Sequence, residues 1–273
     1  MILVNGDVTP QIAVVDRGLA YGDGLFETIA VVDGALRHWP RHLDRLTQGC
    51  ARLAIPLPDP DLIGRELDTA LAGEARAVLK LTLTRGTGER GYRPPPAARP
   101  TRIVQRLPWP ALASAPARLG LCAMRLGRNP ALAGLKHLNR LEQVLGAAEL
   151  DALDVDEALM RDDRGHCVAG TRTNVFAIRG ATLATPDLGE CGIAGIMRGL
   201  VLDRASRCGL APHVATLMTA DLIAADAVFL TNALVGLWPV AAFVDATGIE
   251  HRYAPCAALE RLRHHFTVER LVP

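Results

Sequence analysis

The chain has 273 residues, 49% of them apolar and 4% aromatic, which gives a globular protein of one large or two modest domains with an aliphatic core and excludes a disordered chain. Thirty Lys and Arg against 29 Asp and Glu leave a net charge of +1. That balance removes any bulk case for nucleic acid or an anionic membrane as partner, while allowing a local basic pocket for a small anion.

Taken in chain order, residues 2–5 read as a short strand and residues 12–15 as a second. Residues 16–24 are a glycine-dense loop. A hairpin follows, with strands at 25–32 and 35–38 turning at Asp33-Gly34. Trp39, Leu43, Leu46, Cys50 and Leu53 recur at three- and four-residue spacing, one apolar stripe of a helix with Pro40 in its first turn. Pro56, Pro58 and Pro60 interrupt the chain before a second helix at 61–71. Strands at 77–84 and 102–107 flank the long loop Arg85-Gly86-Thr87-Gly88-Glu89-Arg90-Gly91-Tyr92, and loops of that length tend to be functional. The Pro-rich stretch 107–116 reads as a linker, which divides the chain into two α/β subdomains, residues 1–112 and 113–273. Beyond it come a strand at 119–125, a helix marked by Leu138, Leu141, Leu145 and Ala148, and strands at 157–161, 174–178 and 182–185. A helix at 196–208 closes on Gly209. A strand at 227–230 leads into Thr231-Asn232-Ala233, and a last helix covers 257–268. No apolar run approaches the roughly 20 residues of a membrane helix, and the opening residues carry no signal-peptide pattern, so a cytoplasmic protein is expected. The six cysteines form no Cys-x-x-Cys pair, which favours reduced core residues over zinc or a redox dithiol, and no His, Asp or Glu cluster favours a metal-dependent hydrolase.

Lys80 and Lys136 are the only lysines. Arginine stays protonated and forms no useful Schiff base, so any lysine chemistry has two candidates. Lys136 follows Gly134-Leu135 at the expected start of a helix. A positive helix end and Arg140 favour the neutral amine that imine formation needs; a solvated lysine at a helix start is the other reading. Gly192–Gly195 before a helix leaves the N–H groups of Ile196 and Met197 open to an anion, although such turns also occur without one. Arg41 and Arg45 share a helix face off the apolar stripe, equally consistent with a solvated basic face.

Asp16-Arg17…Tyr21-Gly22-Asp23-Gly24-Leu25-Phe26-Glu27-Thr28 resembles the N-terminal signature of fold-type IV pyridoxal 5′-phosphate (PLP) enzymes, the class-IV aminotransferase family. Arg41-His42-Leu43-Asp44-Arg45-Leu46 resembles that family's phosphate-arginine helix, and Gly195-Ile196-Met197-Arg198 its phosphate-binding turn. Gly134-Leu135-Lys136-His137-Leu138-Asn139-Arg140-Leu141-Glu142-Gln143, with the 84–92 loop, is similar to the aminodeoxychorismate lyases within it. The resemblance runs nearly end to end. It implies a two-subdomain α/β fold of the D-amino-acid aminotransferase type and a homodimer. Lys136 would carry PLP and act as the catalytic base, with Arg45 on the phosphate and Gly195, Ile196, Met197, Asn232 and Ala233 completing its cup. The implied reaction releases 4-aminobenzoate and pyruvate for folate synthesis from a small dicarboxylate substrate. Arg85, Arg90, Arg93 and Arg128 are candidates for its carboxylates, Phe26 and Tyr92 for ring walls, and Thr28 and Asn129 for polar contacts.

One departure stands out. The family places a glutamate against the pyridine nitrogen, and the gap-free alignment from Asn174-Val175-Phe176 puts Ala169 there, with no acid between Arg164 and Asp187. Transamination moves charge into the cofactor ring and should suffer most; the lyase reaction gains its drive from aromatising the substrate. A D-amino-acid or branched-chain transaminase is therefore the weaker alternative, and a PLP-binding paralogue of low activity the other.

Overall fold

The computed structural model describes residues 1–111 and 115–272; of the predicted linker, residues 112–114 lie outside them. The chain forms two compact units, Met1–Ala111 with Leu135–Asn139, and Leu112–Gly134 with Arg140–Pro273. The lysine segment thus groups with the N-terminal unit although its neighbours in sequence on both sides do not.

In the first unit, β1 (Ile2–Val4), β2 (Asp7–Val8), β3 (Gly24–Val32), β4 (Ala35–Leu36), β5 (Arg76–Thr84) and β6 (Thr101–Leu107) form a sheet in the order β2-β1-β6-β5-β3-β4. Strand alternation sorts its faces. Leu25 and Ile29 of β3, Leu79, Leu81 and Leu83 of β5, and Val104 of β6 are buried in one cluster with Leu46 and Cys50 of α2 (Trp39–Leu53) and Ile63 and Leu67 of α3 (Pro60–Leu71). Each such aliphatic side chain contributes about 1.5–3 kcal/mol by leaving water. The other face carries Phe26, Thr28, Lys80, Thr82, Ile103 and Gln105, all half-buried, with Thr28 opposite Lys80 and Phe26 opposite Thr82.

Two sequence expectations fail here. Residues 12–15 form no strand, with a turn at 14–15, and the glycine loop contains a helix, α1 (Arg17–Tyr21). Asp16 caps that helix by accepting the Gly18 N–H at 2.8 Å, and Gly22 ends it at φ 63°. Side-chain capping outweighed the apolar spacing of a segment with no strand to pair with.

The second unit holds a nine-stranded sheet among the described residues. Its strands are β7 (Ala117–Leu126), β8 (Glu157–Asp162), β9 (Cys167–Gly170), β10 (Asn174–Arg179), β11 (Thr182–Pro186), β12 (Ala211–Ala215), β13 (Ala227–Asn232), β14 (Gly236–Val244) and β15 (Glu250–Arg252). They run β12-β11-β10-β13-β14-β7-β8-β9, with β15 on β14. Phe176 and Phe229 stack at 5.0 Å in a core closed by α6 (Ile196–Arg204) and α8 (Ala257–Val268). β9, β12, β14 and β15 escaped the sequence reading because they are short or interrupted by Pro212 and Pro239. The helix expected from Leu138 begins later, as α4 (Leu141–Ala148), and the one expected over 196–208 ends in a 3₁₀ turn at Ala205–Cys208. No helix of the described residues is long and apolar enough to cross a membrane.

Candidate active site

Lys136 does not stand at a helix N-terminus: α4 starts five residues later, so the macrodipole reason for a neutral amine does not apply. The segment is instead laid against β3. The Phe26 N–H donates to the Lys136 carbonyl at 2.9 Å, the Leu138 N–H donates to Gly24 O at 3.0 Å, and His137 forms a bridge with Leu25. Asn139 Nδ2 donates to Gly22 O, and a Cβ on Gly22 would come within 2.5 Å of Asn139 Oδ1, so glycine is required for this approach as well as for its positive φ. Backbone pairing therefore sets where Lys136 emerges. Its Nζ lies 4.1 Å from the Phe26 ring centre, and Lys80 Nζ lies 5.6 Å from the same centre. Both lysines of the chain meet at one aromatic ring, with Thr28 beside it on the same face. Lys80 was noted in the sequence as a lysine but not placed in the site; only strand register brings it there.

Behind this face lies a buried polar trio. Glu27, 1% exposed, accepts Arg45 Nε at 2.8 Å and Arg45 Nη2 at 2.5 Å, and its Oε2 meets His42 Nδ1 at 2.6 Å. Burial pushes the Glu27 carboxyl up, but hydrogen bonds from His42 and Arg45 outweigh it and hold the group below the ordinary carboxylate range. The alternative of a solvated basic face does not hold for Arg45: the inward face of α2 includes His42 and Arg45 as well as the apolar stripe.

Several motif residues have structural work. Asp16 also accepts the hydroxyls of Thr84 and Thr101. Asp23 joins Arg17 and Arg85, and Arg17 further donates to the carbonyls of Gly91 and Tyr92 and lies over the Tyr21 ring. Arg85, expected among the substrate contacts, is 5% exposed and donates to Asp23 and to the carbonyls of Leu53 and Ala54, where it caps the C-terminus of α2. Four of its five donors are engaged within the unit, which makes it a loop clamp. Arg90 is exposed, and Tyr92 is 86% exposed with its ring 5.4 Å from that of Tyr21.

In the second unit, α6 begins at Gly195 with no side-chain cap, which leaves the first-turn N–H groups of Ile196 and Met197 for an anion. Asn174 holds this turn by donating to Ile193 O at 2.9 Å, and a Cβ on Gly195 would stand 2.1 Å from its Oδ1. Asn232 accepts the N–H groups of Leu234 and Val235 and donates to Arg172 O, so its side chain shapes the turn that carries Ala233. Fully buried Glu157 accepts from the Thr171 N–H and hydroxyl, the Arg172 N–H and the Thr173 hydroxyl, fixing the turn after Ala169. Nothing in the sequence marked Glu157, because its partners come from a later turn. Arg128 is paired with Asp163 and Glu190, and Asn129 Oδ1 accepts the Ala131 N–H; both expected substrate contacts are engaged locally.

The residue types suit a phosphorylated aldehyde cofactor: a backbone-locked amine beside an aromatic ring, an arginine gripped on one edge, and an uncapped helix start behind a glycine that tolerates no side chain. Residues 24–243 match the amino-transferase class IV family. The chain is 36% identical over 244 residues to an aminodeoxychorismate lyase of Vibrio harveyi, spanning 88% of this chain and 90% of that one. A solved 4-amino-4-deoxychorismate lyase from Pseudomonas aeruginosa is 42% identical with a TM-score of 0.93, covering 99% and 100% of the two chains. A branched-chain amino acid aminotransferase from Escherichia coli shares the fold at 20% identity and a TM-score of 0.86, over 100% and 95%. With that agreement along almost its whole length, the chain belongs to the class IV aminotransferase family.

Proposed function

We propose that this chain is a PLP-dependent carbon–oxygen lyase converting 4-amino-4-deoxychorismate to 4-aminobenzoate and pyruvate, a cytoplasmic step of folate synthesis. The observation that carries the reading is the Lys136 segment, whose backbone is paired to β3 so that the amine emerges at the Phe26 ring beside Lys80. The lyase relatives at 36% and 42% identity favour this substrate over those of the transaminases, as does Ala169 on β9, where a transaminase would carry an acid.

When bound, PLP supplies the aldehyde that takes up the substrate amine and withdraws electrons from the carbon bearing it. Lys136 would hold the cofactor at rest. With the cofactor bound to the substrate amine, the Lys136 Nζ would be the base that takes the proton from the substrate ring carbon bearing the nitrogen. The ring would become aromatic as its C–O bond breaks, and the departing pyruvate enolate would take up a proton, for which the Lys136 ammonium just formed is a donor, to leave as pyruvate. Arg45 would hold the phosphate with a charged fork, and the first-turn N–H groups of Ile196 and Met197 and the Ala233 amide would be its backbone donors. Phe26 walls the ring, Thr28 offers a hydroxyl, and Lys80 supplies a cation for a substrate carboxylate. Arg90 and Tyr92 remain candidates from the exposed loop.

The exposed stripe Leu141, Val144 and Leu145 on α4 supports assembly of two copies, since a surface helix of a monomer seldom leaves three apolar residues at that spacing in water. The test of function is to supply aminodeoxychorismate to the PLP-loaded protein and to Lys136→Ala, following 4-aminobenzoate and pyruvate. Equimolar products from the wild type alone establish the lyase. A cofactor absorption band without products means that the substrate is wrong, and turnover by Lys136→Ala removes its role.

A further inference from the structure

We infer that Glu27, anchored by His42, is the positioning residue that aims Arg45 at the cofactor phosphate. The inference rests on the reading of Arg45 as the phosphate contact and adds how that contact is held. Alternation along β3 puts Phe26 and Thr28 on the half-buried face and turns Glu27 towards α2, where it is 1% exposed. His42 and Arg45 are three residues apart on α2, so one helical turn presents both to the same carboxylate. An apolar trio of similar volume would pack as well or better, so stability alone does not account for a buried acid here. The geometry supplies another reason. Glu27 takes the Nε and Nη2 of Arg45 at 2.8 and 2.5 Å, a two-point grip on a planar group. Such a fork fixes both the plane of the guanidinium and the direction of its opposite, Nη1-bearing edge. Glu27 Oε2 is shared between Arg45 and His42 Nδ1, and a carboxylate only accepts, so the hydrogen lies on His42 Nδ1 and the imidazole restrains the acid in turn. His42 Nε2 is buried with no partner among the described residues, so the ring serves Glu27 alone.

PLP and pyridoxal differ only in the phosphate, so the ratio of their dissociation constants isolates this contact. Both are titrated into the full-length wild type, Glu27→Gln, His42→Asn and Arg45→Met by cofactor absorbance and tryptophan fluorescence. Glu27→Gln keeps the shape but breaks the fork, and should raise the PLP constant about tenfold while pyridoxal stays within about twofold. His42→Asn should move the ratio the same way by about threefold, and Arg45→Met by more than either. Equal weakening of both ligands by Glu27→Gln, or no weakening, overturns the positioning role. If Glu27→Gln fails to fold, His42→Asn decides: an unchanged ratio overturns it. An unchanged ratio in Arg45→Met instead removes the phosphate role of Arg45, and the inference falls with it.

Discussion

Glu157→Ala should be among the most destabilising single substitutions in the second unit. The carboxylate is 0% exposed and accepts five hydrogen bonds, from the N–H groups of Ala158, Thr171 and Arg172 and the hydroxyls of Thr171 and Thr173, at 2.5–3.3 Å. The hydroxyls can rotate to other acceptors after truncation; the three N–H groups cannot. At about 1–2 kcal/mol for each stranded donor, the loss is about 3–6 kcal/mol, a large share of the stability of any domain. With a urea dependence of about 3 kcal/mol per molar, the midpoint should fall by about 1–2 M. Trp238 is 6% exposed and donates to Ala115 O in the same unit, so its fluorescence reports the transition. Glu157→Gln keeps one acceptor and should fall roughly midway. Thr171→Val and Thr173→Val should each cost about 1 kcal/mol, since the hydroxyls contribute less than the backbone donors. A midpoint in Glu157→Ala within about 0.3 M of wild type would refute the reasoning, because it would mean the turn reorganises without needing the acid.

Three further outcomes are expected. Burial raises the Asp23 carboxyl, but hydrogen bonds and charge from Arg85 and Arg17 outweigh it and leave the folded-state pKa low. A depressed carboxyl adds stability above its unfolded value of about 4 and loses it as pH falls through the folded value, so Asp23→Asn should be less stable at pH 7 and show a flatter acid limb below about pH 4 in denaturation runs. Burial pushes the thiols of Cys50 and Cys191 up to about 11 and those of Cys122 and Cys167 up to about 12, so a thiol reagent at pH 8 should leave these four silent until urea releases all six cysteines. Ala169→Glu places a carboxylate at a 9% exposed site on β9, and should increase the slow conversion of PLP by an added D-amino acid to its amine form, read at the cofactor band; unchanged conversion would show that this position does not govern the choice between lyase and transaminase chemistry.

Much of the fold could be read along the chain. The stripe of α2, the apolar run of β5 and the last helix all appear where local spacing places them, because each buries a face against a single neighbouring layer. Short edge strands such as β12 and β15 carry almost no periodic signal and exist only because a partner strand satisfies their backbone. The site divides in the same way. Lys136 and Arg45 were legible because their residue types stand in recognisable local motifs. Their settings were not: the sequence put Lys136 on a helix dipole, whereas backbone pairing to β3 holds it, and it gave Arg45 no partner, whereas Glu27 grips it.

By itself, the order of residues determined which chemistry is available: one amine in a glycine-flanked segment, arginines for anions, a glycine turn before a helix, and an alanine where an acid is usual. Tertiary structure alone decided which of these groups are engaged inside each unit and which share a face. Arg85, expected at the substrate, is held by a carboxylate and two carbonyls from residues 30 to 60 positions away, and strand register brings Lys80 to the same ring as Lys136, because burial and hydrogen-bond partners are set by residues distant in sequence.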